Sequence, residues 1–187
     1  MMASKGRRRY GLLGVFTAVA LALAIVVAGT PAQAGIVQFW DDFDSTSHPG
    51  WWITGSGGFD HGIGQSHRGA GNAWVRNTTG WNADNVVVGV YPNADCVASA
   101  WIRLSDHVTA GYMTIRAWNG APGPVVNEIW LVGPGPYNPS NGNYNQYLFH
   151  FNPGNASRVL FYVGMWGNGQ DAWVQTDDVV IQCPTPN

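Results

Sequence analysis

The 187-residue sequence is 45% hydrophobic and 11% charged, with a formal net charge of −2. That total hides an asymmetry. Four of its nine basic residues (Lys5, Arg7, Arg8 and Arg9) precede residue 10, and only five, all arginine, follow Gly35. With all eleven acidic residues in the later part, residues 35–187 carry a net charge of −6 and no lysine. This argues against nucleic acid or an anionic membrane as the partner and leaves uncharged partners and cations.

The basic start is followed by an almost wholly apolar run, residues 12–28, and then by Ala32-Gln33-Ala34. A charged segment, an apolar segment and a small-x-small site describe a secretory signal peptide, so residues 1–34 are expected to be removed before Gly35. A retained membrane anchor is the alternative. It requires about 20 apolar residues, and the Gly29-Thr30-Pro31 break favours cleavage. The expected product is a secreted, extracellular, monomeric domain of residues 35–187. A chain of that size buries about 68–70% of its unfolded surface in one core.

Taken in order, the exported part reads as short strands separated by turn chemistry. Residues 36–43 form a first strand ending at Asp41, Asp42 and Asp44, and Trp51-Trp52-Ile53 is a short apolar run. The glycine-rich segment 59–71 reads as a loop, 72–77 as a strand, and Thr78-Thr79-Gly80 as a turn. Two strands, 86–91 and 96–102, flank the turn residues Pro92, Asn93 and Asp95. In the second of them Cys96, Ala98, Ala100, Ile102 and Leu104 share an apolar face, opposite Val97, Ser99, Trp101 and Arg103. Residues 112–118 alternate as well, with Met113, Ile115 and Ala117 against Tyr112, Thr114, Arg116 and Trp118. Further strands are read at 125–132, 144–151, 157–165 and 172–183, with loops at 133–143 and 167–170. No segment shows a helical period. About nine strands of this kind predict an all-β, two-sheet antiparallel sandwich or a barrel.

Cys96 and Cys183 are the only cysteines, and both lie in the exported part. An oxidising compartment predicts one disulfide between them, with two buried thiols as the alternative.

The order of short motifs then matters. Phe43-Asp44, Gly50-Trp51, Gly71-Asn72-Ala73-Trp74-Val75 and Trp81-Asn82 are followed by Tyr91-Pro92-Asn93-Ala94-Asp95 and Ala98-Ser99-Ala100-Trp101-Ile102-Arg103. Near the end stand Val159-Leu160-Phe161-Tyr162-Val163 and Trp173-Val174-Gln175-Thr176-Asp177-Asp178-Val179. Together, from about Phe39 to Cys183, they resemble the carbohydrate-binding modules with a galactose-binding-like jelly roll, including the xylan-, cellulose- and glucan-binding families. The resemblance implies a ligand in the concave face of one sheet or at the loop ends. It also implies a structural calcium (Ca2+) held by Asp44, where the motif usually has Glu, and by one of Asp177 and Asp178. Trp81-Asn82 matches a Trp-Asn pair that contacts ligand in the xylan-binding group. Members usually accompany a catalytic domain, and none is expected within these 187 residues.

Composition points the same way independently. All ten tryptophans follow Gly35. The apolar face of a pyranose stacks on indole, while Asn, Gln, Asp and Arg bind its hydroxyls. The candidate contacts are Trp81, Asn82, Tyr112, Arg116, Trp118 and the loop aromatic Trp166, with a polysaccharide or oligosaccharide as partner. Catalysis is not expected. Glycosidases commonly use two carboxylates, and Glu128 is the only glutamate. His61 and His67 beside Asp60 read as loop polar groups. A β-sandwich polysaccharide lyase or hydrolase is the enzymatic alternative, and an adhesion, protein-interaction or inhibitor domain is the third.

Overall fold

The structure, a computed structural model, describes residues 36–132 and 143–184. The expected signal peptide and most of the 133–143 loop lie outside the described residues. Among those described there are nine strands and no helix: β1 (Ile36–Asp41), β2 (Trp51–Thr54), β3 (Gly57–His61), β4 (Gly71–Gly89), β5 (Cys96–Leu104), β6 (Val108–Trp118), β7 (Pro122–Trp130), β8 (Asn145–Phe151) and β9 (Arg158–Cys183). All pair antiparallel.

Two long strands make the sandwich. The first part of β9 lies between the second half of β4 (Thr79↔Asn168 to Gly89↔Arg158) and β6 (Val108↔Gly167 to Ala117↔Val159). With β2 on the β4 side and β7 on the β6 side, these strands form the first layer. The later part of β9 pairs with the first half of β4, with β5 and with β1, and β3 and β8 extend the second layer. Between the two parts, residues 169–171 of β9 are inserted opposite Thr78 alone. This is where the sheet turns its corner, and Gly169 takes a φ of 95° there, a left-handed value that L side chains resist.

The two turns expected at 78–80 and 167–170 are therefore bends inside continuous strands. Strand β3 is a further correction, since its glycine-rich stretch was expected to be a loop. Backbone pairing along Gly57↔Val75 to His61↔Gly71 needs no apolar side chain, so the stretch leaves no hydrophobic pattern to read.

Between the layers lies the main core. Cys96, Ala98, Ala100, Ile102 and Leu104 of β5 face it, as their alternation requires, together with Met113, Ile115, Val159, Phe161, Val163 and Met165. Trp51 is buried beside Phe43 and Phe161, at ring distances of 5.1 and 6.3 Å. The expected disulfide joins Cys96 to Cys183 and fixes the end of β9 to the start of β5.

One core residue is out of character. Asp84 has no exposed surface; its Oδ2 accepts from Thr176 Oγ1 at 3.4 Å across the two layers, and its Oδ1 has no partner among the described residues. Burial pushes its carboxyl well above the ordinary range, with only partial relief from Thr176. Burial also raises Asp177 to about 6, against the lowering effect of amide donors from Arg68, Asp178 and His67. A group whose pKa is raised on folding contributes stability that is complete below its unfolded pKa, about 3.9, and lost as pH rises through its folded pKa. The melting temperature should therefore fall as pH rises from about 4. The Asp84→Asn variant should keep only the Asp177 part of that fall, which ends near pH 6. Equal slopes for parent and variant in pH-dependent melting would sink this expectation.

Candidate functional site

The outward face of the first layer is aromatic. Strand alternation brings Trp52 from β2, Trp81 from β4, Tyr162 and Trp166 from β9, Tyr112 and Trp118 from β6, and Trp130 from β7 to the same side. Beneath them Ala83, Leu160 and Tyr162 form a small buried cluster of their own, against which Trp81, Val87 and Trp118 pack. The face therefore has an apolar floor separate from the main core. Apart from Tyr162, which is buried in that floor, its aromatic rings are at least partly exposed, with Trp130 61% and Trp166 47% exposed.

The rings form two groups. In the first, Trp81 lies 6.1 Å from Tyr112, 5.7 Å from Tyr162 and 5.9 Å from Trp166, and Trp130 meets Tyr112 edge-on at 5.3 Å. In the second, Trp52 and Trp118 lie 6.1 Å apart. Gly164 explains the pose of Trp81: a Cβ there would overlap the far edge of the indole, so only glycine lets that ring lie down across β9. A groove of about 400 Å³ runs beside these rings, lined by Trp52, Thr54, Trp81, Asn85, Arg116, Trp118, Pro122, Leu160 and Tyr162. That is the size and character of a small-ligand site, apolar with a few polar groups.

The polar groups are fixed in place. Asn85 Nδ2 donates to Trp52 O (3.2 Å), Thr54 Oγ1 (3.1 Å) and Ala83 O (2.9 Å), tying the β2 edge to the groove floor. Arg116 Nε donates to Gly123 O at 2.8 Å, which sets the guanidinium against β7. Trp118 Nε1 has no acceptor among the described residues. Glu128 accepts from Thr114 Oγ1 at 3.0 Å and from Trp130 Nε1 at 3.1 Å. It is the one carboxylate carried by the described strands on this face.

Of the residues singled out by sequence, Trp81, Tyr112, Arg116, Trp118 and Trp166 come together on this face. Asn82 does not. It follows Trp81 on a strand, so it points the other way, has no exposed surface, and accepts the Ser56 amide at 2.8 Å through Oδ1. Its role is structural. Trp52, Leu160 and Tyr162 were missed, although Trp51-Trp52 carried a signal. Adjacent residues on a strand face opposite sides, so one of the two indoles had to point outward.

The acids expected to hold calcium are engaged by amides. Asp44 Oδ1 accepts from the amides of Ala70 and Gly71. Asp177 Oδ2 accepts from His67 N (2.7 Å) and Arg68 N (3.2 Å), and its Oδ1 from Asp178 N (2.7 Å). Asp178 Oδ2 meets His67 Nδ1 at 2.8 Å. A hard cation needs those oxygen lone pairs turned toward itself. Among the described residues no group of three or more His, Cys, Asp or Glu is placed to hold a metal ion. In these contacts the carboxylates anchor the loop between β3 and β4.

Comparison with known proteins places the architecture. No protein-family model matches the sequence, and no curated protein matches it. Among solved structures, the CBM22-1 xylan-binding domain from Paenibacillus barcinonensis Xyn10C is similar at a TM-score of 0.58 and 17% identity, covering 83% of this chain and 99% of that one. TmCBM61 in complex with β-1,4-galactotriose is similar at a TM-score of 0.50 and 14% identity, covering 70% and 86% of the two chains. The K3 adhesin domain of Lys-gingipain from Porphyromonas gingivalis gives 0.53 and 15%, covering 78% and 98%. The chain thus has the β-sandwich fold of carbohydrate-binding modules, as its motifs led one to expect.

Proposed function

We propose that this protein is a secreted module that binds a polysaccharide along the aromatic groove and performs no chemistry on it. The observation that carries the reading is the pairing of Trp81, laid across Gly164, with the Trp52–Trp118 wall on the same face. Indole surfaces that remain partly exposed over a prebuilt apolar floor suit the C–H faces of pyranose rings, with the Arg116 guanidinium in the groove lining to meet hydroxyls. Solved modules of the same fold include a xylan-binding domain and a galactotriose complex, which supports a neutral glycan as ligand. The acidic, lysine-free composition after Gly35 suits such a ligand, and the disulfide suits an oxidising compartment.

The hydrolase alternative needs two carboxyl groups across the scissile bond, about 5–9.5 Å apart. Glu128 stands without a second carboxylate on the described strands of its face. The adhesin neighbour keeps a protein partner as the competing non-catalytic reading.

Affinity electrophoresis in gels containing xylan, β-glucan or galactan tests the proposal, together with chromatography of the incubated glycan. Retardation by at least one glycan with no shortened or unsaturated product is expected. Product release would establish an enzyme, and free migration in every gel would sink the glycan reading.

A further inference from the structure

The second layer carries its own aromatic site, on the face turned away from the groove. Trp74 of β4 pairs with Gly58 of β3 on one side and with Gln175 of β9 on the other, and Gln175 in turn pairs with Arg103 of β5. Arg76 pairs with Trp173 in the same ladder. A cavity of about 380 Å³ lies among Asp60, Gln65, Trp74, Arg76, Trp173 and Gln175, nearly the volume of the groove on the first layer.

This site repeats the construction of the first one. A Cβ on Gly58 would touch three atoms of the Trp74 indole at 3.3–3.4 Å, so Trp74 lies over a glycine on the neighbouring strand as Trp81 lies over Gly164. Trp173 is held from one side by Arg103, whose guanidinium carbon is 5.5 Å from that ring and 5.0 Å from the ring of Tyr144. Arg103 also donates to Gln175 and Gln65, and Asp60 accepts from Trp74, so the polar groups converge on the two indoles.

Charge chooses the ligand. Arg76 is paired with Asp171 through two hydrogen bonds, one of them 2.7 Å, and the charge of Arg103, whose partners are Gln175 and Gln65, formally offsets that of Asp60. A neutral site of this volume, with two indoles and a ring of amide, carboxylate and guanidinium groups, suits an uncharged sugar. It would attract a phosphorylated or uronic ligand weakly.

We propose that Trp74 and Trp173 form a second binding site for a neutral pyranoside, on the opposite side of the sandwich from the groove. A module with two such faces links two glycan chains, or two segments of one chain, and gains avidity from the second contact. The assignment stands on its own residues and does not require the groove to bind.

The test is a titration of the folded domain, 15N-labelled, followed by its indole N–H signals, with the Trp74, Trp173, Trp81 and Trp118 peaks assigned from single Trp→Phe variants. The probes are xylohexaose, cellohexaose and β-1,4-galactotriose. The expected result is that the Trp74 and Trp173 signals move with one probe and saturate, and still do so in a Trp118→Ala variant. A Trp173→Ala variant should weaken that second response by about thirtyfold or more, the effect of losing a hot-spot residue. Should that variant not fold, the titration of the parent alone decides. Movement of Trp81 and Trp118 with Trp74 and Trp173 still would overturn the second site and leave the groove intact. Movement of Trp74 and Trp173 alone would uphold it and overturn the groove. No movement of any of the four would overturn both.

Discussion

Replacing Trp118 or Trp81 with alanine is expected to weaken glycan binding by at least about 2 kcal/mol, roughly thirtyfold. Each indole contributes a stacking surface that no smaller side chain replaces, and binding energy concentrates in such residues. The structure separates this effect from misfolding. Trp81 and Trp118 pack on the small cluster of Ala83, Leu160 and Tyr162, whereas Trp51 sits in the main core beside Phe43 and Phe161. A Trp51→Ala variant should therefore lose about 3–5 kcal/mol of stability, while the two groove variants lose much less. The companion Gly164→Val keeps every aromatic residue yet drives a side chain into the edge of the Trp81 ring. It should lose binding as Trp81→Ala does. Affinity electrophoresis and thermal melting on the four variants check this. Full binding by Gly164→Val would show that the pose of Trp81 is immaterial, and full binding by both alanine variants would remove the groove from the function.

Period-2 alternation made most of the fold legible. It put the correct face of β5 into the core and set Tyr112, Arg116 and Trp118 on one side of β6, because each strand has one wet and one dry face. What alternation could not give was the partner strands of each face. Trp52 and Tyr162 reach the groove only through the pairing of β2 and β9 with β4, and that register is set by contacts distant in sequence. Asn82 was misplaced for the opposite reason. A two-residue motif treats neighbours as a unit, and a strand separates them. The acids Asp44, Asp177 and Asp178 were read from a family pattern of charges, but Asp44 and Asp177 are engaged by backbone donors of residues 67–71, which carry no side-chain signature, and Asp178 by the His67 ring. The second-layer site was hidden as well, since Asp60 and Gln65 come from a stretch read wholly as loop.

Removing the Cys96–Cys183 bond is expected to cost about 4–5 kcal/mol of stability while leaving groove affinity unchanged. The bond closes a sequence separation of 87 residues, and the chain-entropy account gives about that cost for a loop of this length. Alanine is the suitable replacement at both positions, because neither cysteine has exposed surface and a serine hydroxyl would be buried without a planned partner. The location of the bond predicts the second half of the result. Cys183 ends β9 opposite Ile36, and Cys96 begins β5 opposite Phe151, all in the second layer. The groove uses Leu160 and Tyr162 of β9, on the other side of the corner at residues 169–171. Loss of the cross-link should release the chain end and the β1 edge first. Urea unfolding of Cys96→Ala/Cys183→Ala, with affinity electrophoresis well below its melting temperature, tests both halves. An unchanged midpoint would mean that the cross-link does not limit the unfolded chain. Weakened binding by the folded variant would mean that the corner transmits disorder from one layer to the other, and that the two faces are not independent.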